Sequence, residues 1–525
     1  MAEGSRTSTG TETGAWLRVA MPSAADLIFV ALLCVLVFTP LSVRLLGDAG
    51  IGWHIRTGQQ IIATHAIPRA DSFSSTMAGK PWFAWEWLYD LAVGQLEATL
   101  GLNGVVCLTA VVIAAVFAWM FRLLMVRGTN LLVALLLVLL TVSASMIHFL
   151  TRPHVVSWLF TLAWFWILDS FERDAAVGRG NRGARWLWAL PLMMLVWVNV
   201  HGGFLVGFVL LGIFLLGAVW TWFRARKNRI EEVLQRIAAG KSARNLAAVG
   251  LLSAVASLVN PYGWKLYSHI FHYLSNRFLM DHIEEFQSPN FHGIAQRCFL
   301  ALLLITVAVL ALRGRELRMS QGLIVLFAMY AGLYASRNIP VSCVLLSMVV
   351  GPLVSSARLS RGFIQRMADV EVRQRGHLLP ILAIVVTVSI AANGGRLGSR
   401  VLMDGHFAPE RMPVRAVNYL EQHEVSGPVL SPDYWGGYLI YRLYPKSRVV
   451  VDDRHDLYGA EFFKAYWKMM HVERGWDEFL RMHPVSCVLL PKDGALANIL
   501  PVTQGWKQIY ADEVAIAFVR DPPHP

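Results

Sequence analysis

Residues 131–150 read LLVALLLVLLTVSASMIHFL. Twenty residues without a single Asp, Glu, Lys or Arg are long enough, as a helix, to cross a hydrocarbon slab about 30 Å thick. The same pattern recurs at 25–46, 104–125, 154–171, 187–200, 204–223, 246–260, 294–312, 321–336, 340–356 and 378–393, which predicts about eleven hydrophobic helices. The chain has 525 residues, 55% of them hydrophobic and only 16% charged. Its apolar residues come in long blocks rather than spread through one core. A closed barrel would show short alternating segments, and none is evident. The fold class expected is a polytopic α-helical membrane protein ending in a soluble α/β domain.

The formal net charge of +12 sits between the hydrophobic blocks. Arg173, Arg179, Arg182 and Arg185 fall in one loop. Arg224, Arg226, Lys227, Arg229, Arg236, Lys241 and Arg244 fall in a second. Arg313, Arg315 and Arg318 make a third, and Arg358, Arg361, Arg366, Arg373 and Arg375 a fourth. With the N-terminus inside, all four loops are cytoplasmic, so positive charge sets topology here. No aromatic-basic module indicates nucleic acid as a partner. The expected division is a cytoplasmic tail at 1–24, a transmembrane domain at 25–393 with a long first outer loop at 47–103, and an extracytoplasmic domain at 394–525. The N-terminal stretch is polar, and the first apolar run is too long for a cleavable signal. Of the five cysteines, Cys34, Cys107, Cys298 and Cys343 lie in apolar blocks and Cys487 in the tail, and no disulfide framework or Cys-x-x-Cys site is implied.

Polar residues collect where these helices meet the outer face. Asp48 sits just beyond the first helix, where a partly desolvated carboxylate can act as a general base or hold a cation. The Trp-rich stretch at 82–87, Trp82-Phe83-Ala84-Trp85-Glu86-Trp87, followed by Leu88, Leu91 and Leu96, suits a helix lying in the membrane interface. Arg152 and His154 lie between the third and fourth helices, Asn199 and His201 between the fifth and sixth, and Asn260 after the seventh. Glu285 falls in the next outer loop and Arg337 between the ninth and tenth. Ionisable groups near a bilayer are costly and usually keep partners close by. The forked donors of Arg152 and Arg337 suit phosphate oxygens. Asn260-Pro261 and His201-Gly-Gly also read as simple turns. His54, His154 and His201 are candidate ligands for a divalent cation, although their spacing carries no metal signature.

In the tail, helices are expected at 413–421, 434–443 and around 460–482, with strands at 427–431, 447–451, 485–490, 506–510 and 514–519. This alternation predicts a small α/β unit. Asp452-Asp453-Arg454 follows a strand, where α/β sheets often place ligands; a structural salt bridge is the competing reading.

The pattern Asp48…Trp53-His54…Pro68…Asp71-Ser72-Phe73…Trp85-Glu86-Trp87 resembles the GT-C superfamily of integral-membrane glycosyltransferases, in its bacterial protein-mannosyltransferase- and oligosaccharyltransferase-like branches. Asp433-Tyr434-Trp435-Gly436-Gly437-Tyr438 is loosely similar to the Trp-Trp-Asp region of oligosaccharyltransferase catalytic subunits, in a different residue order. The resemblance implies a bacterial cytoplasmic-membrane enzyme that takes its sugar from a polyprenyl-phosphate-linked donor. The acceptor would be a glycan, lipid or protein. Asp48 matches the family's acidic residue, with Glu86 as the second carboxylate and His54 orienting the acceptor or binding a cation. Arg152 and Arg337 would hold the donor phosphate, with His154, Asn199, His201, Asn260 and Glu285 around the substrate. A transporter of a lipid-linked precursor would need repeated halves and polar groups at mid-membrane. A non-catalytic assembly factor would have no pocket at the outer face.

Overall fold

The structure is a computed structural model that describes residues 21–176, 182–225, 229–355, 368–369, 371–372 and 377–521. Arg179, Arg226, Lys227, Arg358, Arg361, Arg366, Arg373 and Arg375, and the tail up to Ala20, lie outside the described residues. Each hydrophobic block forms a helix. In chain order these are α1 (Ala24–Phe38), α2 (Ile51–Thr64), α3 (Trp87–Val126), α4 (Leu131–Ser145), α5 (His154–Ala176), α6 (Leu190–Trp197), α7 (Leu205–Arg224), α8 (Ile230–Ser257), α9 (Ile294–Arg313), α10 (Met319–Tyr334), α11 (Ile339–Ser355) and α12 (Leu378–Ala392). Among the described residues, six helical stretches are long and apolar enough to cross a bilayer, and four more apolar helices are shorter. The chain is a multi-pass membrane protein.

Three blocks depart from the expected spans. The first is cut by Pro40, which cannot donate to a preceding turn, so α1 ends at Phe38 and a short helix, Leu41–Leu45, follows. The block at 187–200 yields only the eight residues of α6. The block at 246–260 is the second half of α8, whose first half is amphipathic and basic.

The first long loop is itself structured. α2 crosses the start of α3 at a pair of glycines: a Cβ on Gly58 would lie 1.9 Å from the Asp90 carbonyl oxygen, and one on Gly94 would lie 2.7 Å from Gly58 C. α3 breaks at Gly101, which takes φ 64°, ψ −164°, and separates the loop helix from the long apolar span.

The tail folds as an α/β unit with helices α13 (Val414–Gln422), α14 (Asp433–Leu443), α15 (His455–Met470) and α16 (Asp477–Met482). Its sheet runs β1 (Val429–Leu430), β2 (Cys487–Pro491), β4 (Ala515–Arg520), β3 (Trp506–Ala511), with β1 and β2 parallel and the remaining pairs antiparallel. Ser447–Val451, expected as a strand, does not form a regular one. Val449 instead makes single parallel bridges to Val429 on one side and Ser74 of the first loop on the other. The valine-rich run is therefore a seam: Ser75 N–H donates to the Val449 carbonyl (2.8 Å) and the Thr76 hydroxyl to the Val450 carbonyl (2.6 Å). Val449, Val450 and Val451 are fully buried there.

A second contact fixes the tail on the loop. α14 lies against α2 at Gly52 and Gly437, where a Cβ on Gly52 would lie 2.1 Å from the Gly437 carbonyl oxygen. Neither side can yield by rotating a side chain, because the clash is with backbone. Gly52→Ala should lower stability by about 2–3 kcal/mol, at the upper end of the overpacking range, read as a fall in the melting temperature of the purified protein. A melting curve identical to wild type would refute the close packing.

Candidate active site

Between the first loop, the helical bundle and the tail lies a cavity of about 910 Å³. Asp48, Glu86, Arg152, Glu285 and Arg337 of the expected residues line it, together with Arg411, Asp433, Asp453, Arg454 and His455 of the tail.

Arg152 is its anchor. Its Nη2 donates to Asp48 Oδ1 at 2.7 Å and also to Asp453 Oδ2, and Trp53 Nε1 donates to Asp453 Oδ1 at 3.0 Å. One guanidinium thus joins the end of the first helix pair, the α4–α5 connection and the tail. Burial raises the Asp453 pKa, against the pull of Arg152 and with help from Asp48, to about 6. Asp48 Oδ1 also accepts from Gly50 N–H at 2.8 Å. Asp48 Oδ2 has no hydrogen-bond donor among the described residues, and the side chain is a quarter exposed. Arg152, expected as a phosphate ligand, shares its charge between two carboxylates in this structure.

The Asp452-Asp453-Arg454 turn divides the two readings of it between its members. Asp452 and Arg454 form a buried, two-pronged salt bridge (2.8 and 2.7 Å), extended by Asp71 at 2.8 Å. The Arg454 guanidinium lies 4.6 Å from the centre of the Trp82 ring and its Nη1 is buried without a hydrogen-bond partner. Asp453 alone turns toward Arg152.

Glu86 lies between two imidazoles, 3.9 Å from His54 Nε2 and 3.8 Å from His201 Nε2. Burial raises the Glu86 carboxyl to about 8. His54 is fully buried and its Nδ1 is bonded to Asp90. Burial and the field of Arg152 hold the His54 pKa well below its ordinary value, so the ring is neutral. His201 shares the Ser157 hydroxyl (2.8 Å), which also accepts from Trp197 Nε1. His54 and His201 therefore stand behind Glu86 and do not line the cavity.

Other expected residues serve local structure. Asn199 takes the Trp87 Nε1 donor (2.7 Å) and donates to the Leu195 and Val259 carbonyls. Asn260 closes the turn after α8 by donating to the Ser257 carbonyl and accepting from Tyr262 N–H. His154 Nε2 donates to the His148 carbonyl at 2.9 Å. None of the three, expected around a substrate, lines this cavity. Nor do the histidines converge: among the described residues no three His, Cys, Asp or Glu side chains are grouped to hold a metal ion.

The remaining cations face fewer carboxylates. Arg337 pairs with Glu285 at 3.3 Å and stacks on Phe286. Arg411 lies beside Gly47, where a Cβ would meet its Nη1 at 3.6 Å, and has no ion-pair partner among the described residues. Burial alone would lower the His455 pKa, but the Asp433 carboxylate 2.9 Å from its Nε2 raises it instead. Arg411, Asp433 and His455 escaped the sequence reading as site residues. His455 directly follows the Asp452–Arg454 turn, and Asp433 opens the Tyr434–Tyr438 motif, so both carried a signal. Arg411, between Glu410 and Met412 in an irregular segment, carried none.

No family model matches the chain, and no curated protein matches it in sequence. In three dimensions it is similar to the oligosaccharyltransferase AglB of Archaeoglobus fulgidus in complex with an inhibitory peptide and a dolichol-phosphate. That match has TM-score 0.55 and 10% identity, over 96% of this chain and 74% of the other. A second structure of an A. fulgidus oligosaccharyltransferase, with Zn and sulfate, gives 0.49 and 12% over 95% and 73%. ArnT of Cupriavidus metallidurans bound to undecaprenyl phosphate gives 0.47 and 14% over 95% and 98%. The chain shares its fold with the A. fulgidus oligosaccharyltransferase AglB.

Two predictions follow from the charge pattern. Removing Arg152 as Arg152→Met leaves two carboxylates facing each other and should destabilise the protein by about 2–3 kcal/mol, less than for a fully buried pair because the site is partly open. Adding Asp48→Asn and Asp453→Asn should restore part of the loss in thermal melts; no recovery would sink the bridge. Glu86 keeps a proton in the fold that an unfolded chain releases above its ordinary 4.5, so its contribution to stability is lost as pH rises toward about 8. Infrared spectra should show a protonated-carboxyl band at neutral pH that fades through about 8 and is missing in Glu86→Gln; its absence in the wild type would refute the assignment.

Proposed function

We propose that this protein is a glycosyltransferase moving a sugar from a polyprenyl-phosphate-linked donor to an acceptor on the outer face of a bacterial cytoplasmic membrane. In this reading the N-terminus is inside, 25–393 forms the membrane domain, and 394–525 is the outer domain. The observation that carries it is a carboxylate with one free oxygen, Asp48 Oδ2, in the same cavity as the incompletely neutralised cations Arg337 and Arg411 and the His455 imidazole. The dolichol-phosphate in the AglB complex supports the class of donor, since the fold is shared.

The acceptor hydroxyl gives its proton to Asp48 Oδ2 as its oxygen attacks the anomeric carbon. The bond from that carbon to the phosphate oxygen breaks, and the electron pair leaves with the lipid phosphate. Arg337, Arg411 and His455 stabilise the charge that accumulates there. Arg152 holds Asp48 in place rather than touching the phosphate. Glu86, protonated, is suited to donate a hydrogen bond to a sugar hydroxyl.

Labelled polyprenyl-phosphate sugars offered to the protein in lipid should lose sugar from the carrier. A positioned base contributes about 10²–10⁴ in rate, so Asp48→Asn should slow that loss at least 100-fold while leaving donor binding intact. Equal rates in the two proteins would keep the enzyme and discard the base. Absence of both turnover and donor binding across the panel would refute the reading.

A further inference from the structure

A second pocket lies at the other end of the bundle. α7 starts four residues after His201, beside Glu86, and runs twenty residues to Arg224, a rise of about 30 Å. There the first half of α8 folds back along it. The Arg236 guanidinium stacks on the Trp222 ring at 4.3 Å and donates to the Ala225 carbonyl at 3.4 Å. Gly240 gives the indole room, since a Cβ there would sit 3.3 Å from Trp222 Cδ1. The space enclosed is about 680 Å³, lined by Trp222, Phe223, Arg236, Ile237, Lys241 and Arg244 among others.

Two features of this pocket coincide. Its lining holds three cations and no carboxylate. Glu231 and Glu232 occupy the first turn of α8, outside the lining, and Lys241 and Arg244 have no ion-pair partner among the described residues. Phe223 (69%) and Ile237 (63%) of the lining are exposed, as are Ile230 (81%) and Leu234 (60%) earlier on α8. Apolar surface of this extent is unfavourable in water and favourable against acyl chains. A basic, amphipathic helix at the end of a membrane span, with arginine and lysine above exposed aliphatic and aromatic side chains, complements a molecule with phosphate at one end and hydrocarbon at the other.

We propose that the α7–α8 pocket binds the phosphate headgroup of an anionic phospholipid of the surrounding membrane, with Lys241 and Arg244 on the phosphate, Arg236 fixed by Trp222 as the third donor, and the chains over Phe223 and Ile237. This site is separate from the cavity and does not depend on the proposed transfer reaction.

The test uses the full chain in detergent with phosphatidylglycerol or phosphatidylcholine, scored by native mass spectrometry and by equilibrium binding. The wild type should retain phosphatidylglycerol in preference to phosphatidylcholine. A juxtamembrane cation contributes enough near an anionic headgroup that Lys241→Gln with Arg244→Gln should weaken phosphatidylglycerol roughly tenfold or more. Both side chains are exposed, so the variant should melt like wild type. Equal retention of the two lipids, or phosphatidylglycerol binding unchanged in the variant, would overturn the proposal. So would displacement of the lipid by inorganic phosphate at comparable affinity, which would mark a site for free phosphate instead.

Discussion

One positive charge, on Arg152, holds together three parts of the chain that are far apart in sequence. Its partners Asp48 and Asp453 come from the first loop and the tail, and Arg152 itself from the turn before α5. Two carboxylates at this distance repel each other, and in a partly desolvated cavity that repulsion is large unless a cation lies between them. The cavity's shape therefore depends on the ion triad being intact, and the position of Asp48 depends on it as well.

Around the triad the contacts are mostly backbone and therefore unforgiving. The Gly52–Gly437 approach and the Val449 seam bring the tail onto the first loop without long side chains between them. The second pair, Gly58 with Gly94, sets the angle at which α3 leaves α2, and so where Glu86 stands relative to His54. Small residues thus set the positions of the charged ones. Glu86, His54 and His455 illustrate how burial and single partners can shift neighbouring titratable groups in different directions: burial raises Glu86 and lowers His54, whereas the Asp433 carboxylate raises His455.

The two ends of the bundle carry contrasting chemistry. The cavity end mixes carboxylates with cations at close range, whereas the α7–α8 end holds cations with aromatic and aliphatic neighbours and no carboxylate in its lining. The first arrangement suits a reaction in which charge moves during turnover. The second suits static attraction to a permanently anionic surface.

Hydrophobic block length determined the helical membrane fold directly, because a bilayer demands about twenty apolar residues per crossing whatever the partners are. The alternation of the tail into an α/β unit was legible for the same local reason, through β-branched runs and helical periodicity. Asp48, Glu86, Glu285 and Arg337 could be picked out as charged residues at helix ends where the membrane makes charge costly. What the sequence could not decide was pairing. Whether Arg152 meets a phosphate or two carboxylates, whether Asn199 and Asn260 face a ligand or close a turn, and whether Ser447–Val451 is a strand or a seam all depend on which distant segment arrives beside them. Arg411 joins the site only because the tail folds back over Gly47. Electrostatic and hydrogen-bond energies vary steeply with distance over a few ångströms, and distances between remote segments exist only once the tertiary structure has formed.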